Sequence, residues 1–181
     1  MVIIARDDDE HPKFLHIEES SEGVTQSRAI HNRIVHSNQW IASYKWAAVA
    51  AAASVFFHIK VGAGLNAHGV IRISTGAAVT FYVYENPTLT DDGTALSNVC
   101  ENRQTTAVPD AACFRDPTIT ANGLQLEIGI FGTAGRFTAA GSTIENGGYF
   151  LLKIGESYLI RVDNDDDAAQ DVSISYMWHE E

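Results

Sequence analysis

The chain has 181 residues, 45% hydrophobic and only 19% charged, which is enough apolar material for one compact domain with room for a short extra segment. Lys and Arg number 12 against 23 Asp and Glu, a formal net charge of −11. That balance argues against a nucleic-acid-binding surface, which needs clustered cations to displace counterions from phosphates.

Met1 to Ala5 is a short apolar start followed at once by the acidic run Asp7 to Glu10, so no secretory leader is expected. The rest of the first thirty residues is polar and acidic around one apolar patch, Phe14-Leu15-His16-Ile17, too little for a core of its own. Two readings stand for residues 1–30: an unstructured or loosely docked tail, or an arm that docks on a neighbouring subunit. A β-rich domain is expected over 31–181.

Ile34 to Tyr44 carries spaced apolar residues and reads as one or two short strands. Trp46 to Ala53 has the best helix propensity in the chain but is short and uncapped, and it runs straight into the strand-like Ser54 to Val61; an extended or turn conformation is favoured there. The apolar window Trp46 to Phe57 is too short to span a bilayer. Gly69 to Ser74 and Ala78 to Glu85 read as strands around the turn Thr75-Gly76-Ala77. Thr90 to Thr94 reads as a turn, and Asn98 to Pro117 as a long irregular loop of the sort that forms interfaces. That loop holds the only two cysteines, Cys100 and Cys113, too few for a disulfide scaffold or a zinc site; their pairing stays open. Leu124 to Ile130 alternates apolar and polar residues cleanly, the mark of a half-buried strand. Gly132 to Gly148 is rich in Gly, Ala and Ser, and Tyr149 to Ile154 reads as another strand.

The last thirty residues carry the strongest pattern. Tyr158, Ile160 and Val162 share one face, and so do Val172, Ile174, Tyr176 and Trp178. Asp163 to Gln170 between them is rich in turn formers and poor in packing groups. The expectation is an antiparallel hairpin with an exposed acidic turn. In total, about eight to ten strands without a convincing helix suggest an all-β sandwich or barrel.

Catalytic constellations are not apparent. The seven histidines are scattered, and His31 and His36, five apart in a strand, would face opposite sides. The acidic turn lacks the mid-loop glycine of a calcium loop, since its sixth place is Ala168. No nucleophile elbow, phosphate loop or dinucleotide fingerprint is present. Trp40, Trp46, Tyr82 and Tyr84 suit a core or interface, and as exposed rings they could stack on sugars.

The ordered segments from His31 to Glu180, about 150 of the 181 residues, resemble a family of tailed-bacteriophage structural proteins. The residues that carry the likeness are His31 and His36; Val55 to Gly62 followed by His68 to Thr75; Val83-Tyr84-Glu85-Asn86-Pro87-Thr88 leading to Gly93-Thr94-Ala95-Leu96; Glu101-Asn102-Arg103; Pro117-Thr118-Ile119-Thr120 with Gly123; Leu151-Leu152-Lys153; Tyr158 to Val162; and Trp178-His179-Glu180. His179 stands where the family has an aromatic residue, and the Asn-Arg loop is extended. The resemblance implies a jelly-roll-like antiparallel β-sandwich that decorates or cements the exterior of a phage capsid. It would be made in the host cytoplasm and bind between subunits of the major capsid protein, as a homotrimer. No enzymatic activity, cofactor, metal, nucleic acid or membrane is expected. Interface contacts are expected from Phe14, Leu15 and Ile17 of the arm, and from Asn102, Arg103 and Arg115, rare cations and their neighbour on an acidic chain. The alternative is a carbohydrate-binding β-sandwich or adhesin module on the virion.

Overall fold

The computed structural model describes residues 3–6, 12–15, 38–131 and 150–181, all of it strand, turn and connecting segment with no helix among these residues. The protein is an all-β, antiparallel sandwich. Ile3–Arg6 (β1) and Pro12–Leu15 (β2) form a two-stranded antiparallel hairpin in which Ile3 is opposite Leu15 and Ile4 opposite Phe14. The tail reading of residues 1–30 therefore meets local strand structure within that stretch. His31, His36 and Ile17 lie outside the described residues.

Two large sheets follow. The first contains Ser54–Lys60 (β4), Val79–Glu85 (β6), Thr94–Ala95 (β8), Ala112–Arg115 (β10), Leu124–Phe131 (β12) and Ser157–Asn164 (β14), in the order β12-β6-β14-β4-β10-β8. The second contains Gln39–Val49 (β3), Ala67–Thr75 (β5), Val99–Cys100 (β9), Phe150–Leu152 (β13) and Gln170–Glu180 (β15), in the order β13-β5-β15-β3-β9. Thr88–Asp91 (β7) and Thr118–Ala121 (β11) make a separate two-stranded ribbon. Trp46 to Ala53, the best helix former in the chain, is extended through Val49 and then turns, closed by the Ala53 N–H donating to Ala50 O at 3.1 Å. The burial of alternate β3 side chains overrides helix propensity here.

One apolar cluster joins the sheets. Trp40, Ala42, Phe57, Ile59, Ile73, Val79, Val83, Tyr158, Ile160 and Val162 meet Val172, Ile174, Tyr176 and Trp178, all at most 3% exposed. The period-two pattern of the last strands thus sets the core face as expected. Their pairing differs from expectation. β14 pairs with β4 and β6, and β15 pairs with β3 and β5, so the two are not a hairpin. The chain crosses from one sheet to the other between them, as it does between β3 and β4 and between β5 and β6.

A buried polar network holds these crossovers. Asn164, 1% exposed, donates its amide to Val49 O (2.9 Å), Ala50 O (3.1 Å) and Ala168 O (2.9 Å). Gln170 donates to Asn164 Oδ1 and to Ala78 O, and accepts from the Thr75 hydroxyl. The acidic turn is exposed in its middle, as expected, and is anchored at both ends by the buried amides of Asn164 and Gln170. Carbonyls stranded where three strands end are satisfied from inside, which buried backbone requires.

Candidate functional site

Asn98 to Pro117 is not an irregular loop throughout, because it contains β9 and β10. Cys100 and Cys113 are both buried and are not joined in a disulfide, and burial pushes the Cys113 thiol far up. The segment between them is clamped from two sides. Glu180, 5% exposed, accepts from the backbone N–H groups of Asp110 (2.9 Å) and Ala111 (2.8 Å) and from Trp178 Nε1 (3.0 Å). Asp110 in turn accepts from the N–H groups of Gly64 (2.8 Å) and Leu65 (3.0 Å). A Cβ on Gly62 would lie 2.2 Å from the Asp110 carboxylate, so the two loops close on each other only with glycine there.

Above this clamp the chain is wound into small turns. Asn102 Oδ1 accepts from Gln104 N, and Thr105 Oγ1 from Ala107 N. The turns present Arg103 and Val108 to solvent, Val108 being 86% exposed. Asn102 and Arg103 thus sit together. Arg115 belongs to a different group: its guanidinium lies 4.5 Å from the Tyr44 ring centroid and 2.6 Å from Asp116, whose other oxygen accepts from Trp46 Nε1 at 2.7 Å. Arg115 ties β10 to β3 and so is partly occupied within the chain. Phe14 and Leu15 are in β2.

The least expected surface is β12. Its alternation predicts Leu124, Leu126, Ile128 and Ile130 in the core. They are instead 64%, 39%, 54% and 73% exposed. The register explains this for Ile128 and Ile130, which follow a bulge; Leu124 precedes it, at the start of the strand. Gln125 is opposite Tyr84 but Glu127 is opposite Val83, so Leu126 is an extra residue in a bulge. One added residue moves every later side chain to the other face. Ile128 and Ile130 then stand outside beside Tyr82 and Thr80, and Gly129 faces Phe81 so closely that a Cβ would lie 2.0 Å from the ring. β12 is also, among the described residues, an edge strand of its sheet. The Asn102–Arg103 turn follows β9, and β8 and β9, separated by three residues, mark the opposite edge. Two candidate contact surfaces therefore lie on opposite edges of the sandwich.

Titratable side chains also meet elsewhere on the sandwich. His58 is fully buried on the outer side of β4, stacked on Phe114 at 5.4 Å, with Nδ1 3.3 Å from Asp92 O; burial lowers its pKa despite Asp92. His68 and His179, far apart in sequence, are direct partners across β5 and β15, with ring centroids 5.0 Å apart. The open depression lined by Lys45, Ser74, Gly76 and Asp171 holds a Lys45–Asp171 pair at 2.6 Å, two charges that neutralise each other. No helix among the described residues is long and apolar enough to cross a membrane.

Sequence reasoning missed Asn164, Gln170 and Glu180, yet their parity marks them. Asn164 is two residues beyond Val162, and Glu180 two beyond Trp178, on the same buried faces. Comparison with protein-family models, curated proteins and solved structures gave no match.

Proposed function

We propose that the protein is a structural component of a tailed-bacteriophage head, binding the outside of the shell between major capsid subunits and stabilising it. The sequence resemblance motivates this reading. The observation that carries it furthest is the row of exposed Leu and Ile side chains along β12, an edge strand among the described residues, an apolar surface of the sort that marks protein contact. Strand order adds support. The eight principal strands run β3-β15-β5-β13 in one sheet and β4-β14-β6-β12 in the other, the order of a jelly roll, an architecture used by capsid and lectin domains alike. A cement function asks for many symmetric contacts rather than a reactive group, and a trimer at a local threefold position fits that demand. On this reading the β12 edge and the Asn102–Arg103 turn are the two contact surfaces, and residues 1–30 are the arm.

The carbohydrate-binding alternative draws on Tyr82. Its ring already stacks with Tyr84 at 5.9 Å and lies under Arg161 at 5.4 Å, which leaves less of it for a sugar.

Electron cryo-microscopy of phage heads incubated with the purified protein is the direct test. The expected result is regularly spaced density outside the shell between capsid subunits, with the β12 edge in contact. Density only at the tail tip, or glycan-array binding lost in Tyr82→Ala, would overturn the decoration reading.

A further inference from the structure

We propose that His68, His179 and Glu181 form a site for a divalent transition-metal ion, Zn2+ being the class their donors favour. The three side chains offer two imidazole nitrogens and a carboxylate oxygen, all within 4.8 Å of one another. His179 Nε2 is 3.7 Å from Glu181 Oε2. Ligand atoms around a tetrahedral Zn2+ at its usual bond lengths stand about 3.4 Å apart, so small side-chain rotations close the set. Two imidazoles with one carboxylate select zinc-like ions over Mg2+ and Ca2+, which prefer all-oxygen sites.

The scaffold is what makes this more than a chance cluster. His68 and His179 are cross-strand partners in register, so the sheet itself fixes their separation. Glu181 follows His179 by two residues and therefore points to the same face. Its backbone is fixed too: Glu181 N–H donates to Asn66 O at 3.2 Å and Asn66 N–H to Glu181 O at 3.1 Å. His179 is 8% exposed in its side chain while Glu181 is 62% exposed, so the ion would have a buried ligand beneath and an exposed one above. Three protein ligands leave a fourth position for water or a group from a neighbouring molecule. Between His179 and Glu181 lies Glu180, so a bound ion would brace the same strand end that clamps Asp110 and Ala111.

The test uses the full chain without an affinity tag, titrated with Zn2+ by calorimetry and with Co2+ by visible absorption, at neutral pH. The expected result is one saturable site per chain and a rise in thermal midpoint with Zn2+. Glu181→Gln, at an exposed position, and His68→Gln should each weaken that site about tenfold or more and abolish the thermal shift, with unchanged far-ultraviolet circular dichroism. Absence of a saturable site, or equal affinity in Glu181→Gln and the wild type, would overturn the proposal; in the second case the ion would be held elsewhere, for instance by the histidines near the N-terminus. If His68→Gln fails to fold, Glu181→Gln still decides.

Discussion

Three polar side chains set the terms at the residue scale. Asn164 satisfies three carbonyls with one amide group, so Asn164→Ala strands them in a buried setting. The expected loss is about 3 kcal/mol, measured by urea unfolding. Glu180→Ala removes the acceptor of three donors at once and should cost at least as much. In contrast to Asn164→Ala, it should also speed amide exchange at Asp110 and Ala111, since they lose their partner. His58 gives a pH dependence whose sign follows from burial. Desolvation holds its folded pKa below the ordinary histidine value of about 6.5, so the unfolded chain binds more protons on mild acidification. Stability contributed by neutral His58 is present above pH 6.5, declines as pH falls through the window below it, and levels off below the folded pKa. Urea midpoints measured at steps from pH 7.5 downwards should show that decline, and His58→Gln should flatten it.

Among the elements, β12 shows how far a sequence pattern can be trusted. Its alternation correctly announces a strand, since period two is a property of extended backbone whichever face is buried. The face itself depends on a bulge at Leu126, and a bulge leaves no mark on apolar spacing. Gly129 is the one local hint, because a glycine inside a strand often marks a bulge or a close approach, here to Phe81. β14 and β15 illustrate the reverse. Their apolar core faces were legible, from Tyr158 to Val162 and from Val172 to Trp178, whereas the polar Asn164 and Glu180, which the same parity turns inward, were not read as buried. Which strands they pair with was not legible, because a turn-rich connection fits a hairpin and a crossover equally well. The β12 surface yields an expected outcome of its own. Ile128→Lys with Ile130→Lys replaces exposed side chains, so chemical stability should stay within about 0.5 kcal/mol of the parent. Sedimentation binding to phage shells should nevertheless weaken. Unchanged binding by the double variant would remove β12 from the contact surface.

On the scale of the whole molecule, an all-β chain of this composition was readable from turn spacing alone. The partition of its strands between two sheets was not, because that is settled by burial shared among segments far apart in sequence. His68 and His179 make the same point, since 111 positions of sequence hide a pair that the sheet brings into register. The role assigned to the arm can be tested at this scale. Deleting residues 1–29 should leave a folded, soluble sandwich with the parental unfolding midpoint, because the described core begins at Gln39. Occupancy on shells should drop. Equal affinity of the truncated and full-length proteins would show that the arm takes no part in binding.

The central place of β15 bears on how the chain reaches this state. It is the last strand in chain order, yet it lies between β3 and β5 and pairs with both along nearly its whole length. A nascent chain that has not yet supplied Gln170 to Glu180 holds β3 and β5 apart, each with an unpaired edge facing the gap. Such edges recruit strands from other molecules as readily as from their own. Closing pairings this distant in sequence is slow, on the order of milliseconds to seconds for sandwich topologies. Synthesis therefore passes through an interval in which aggregation competes with completion of the sheet, and a chaperone that shields those two edges would act at that step.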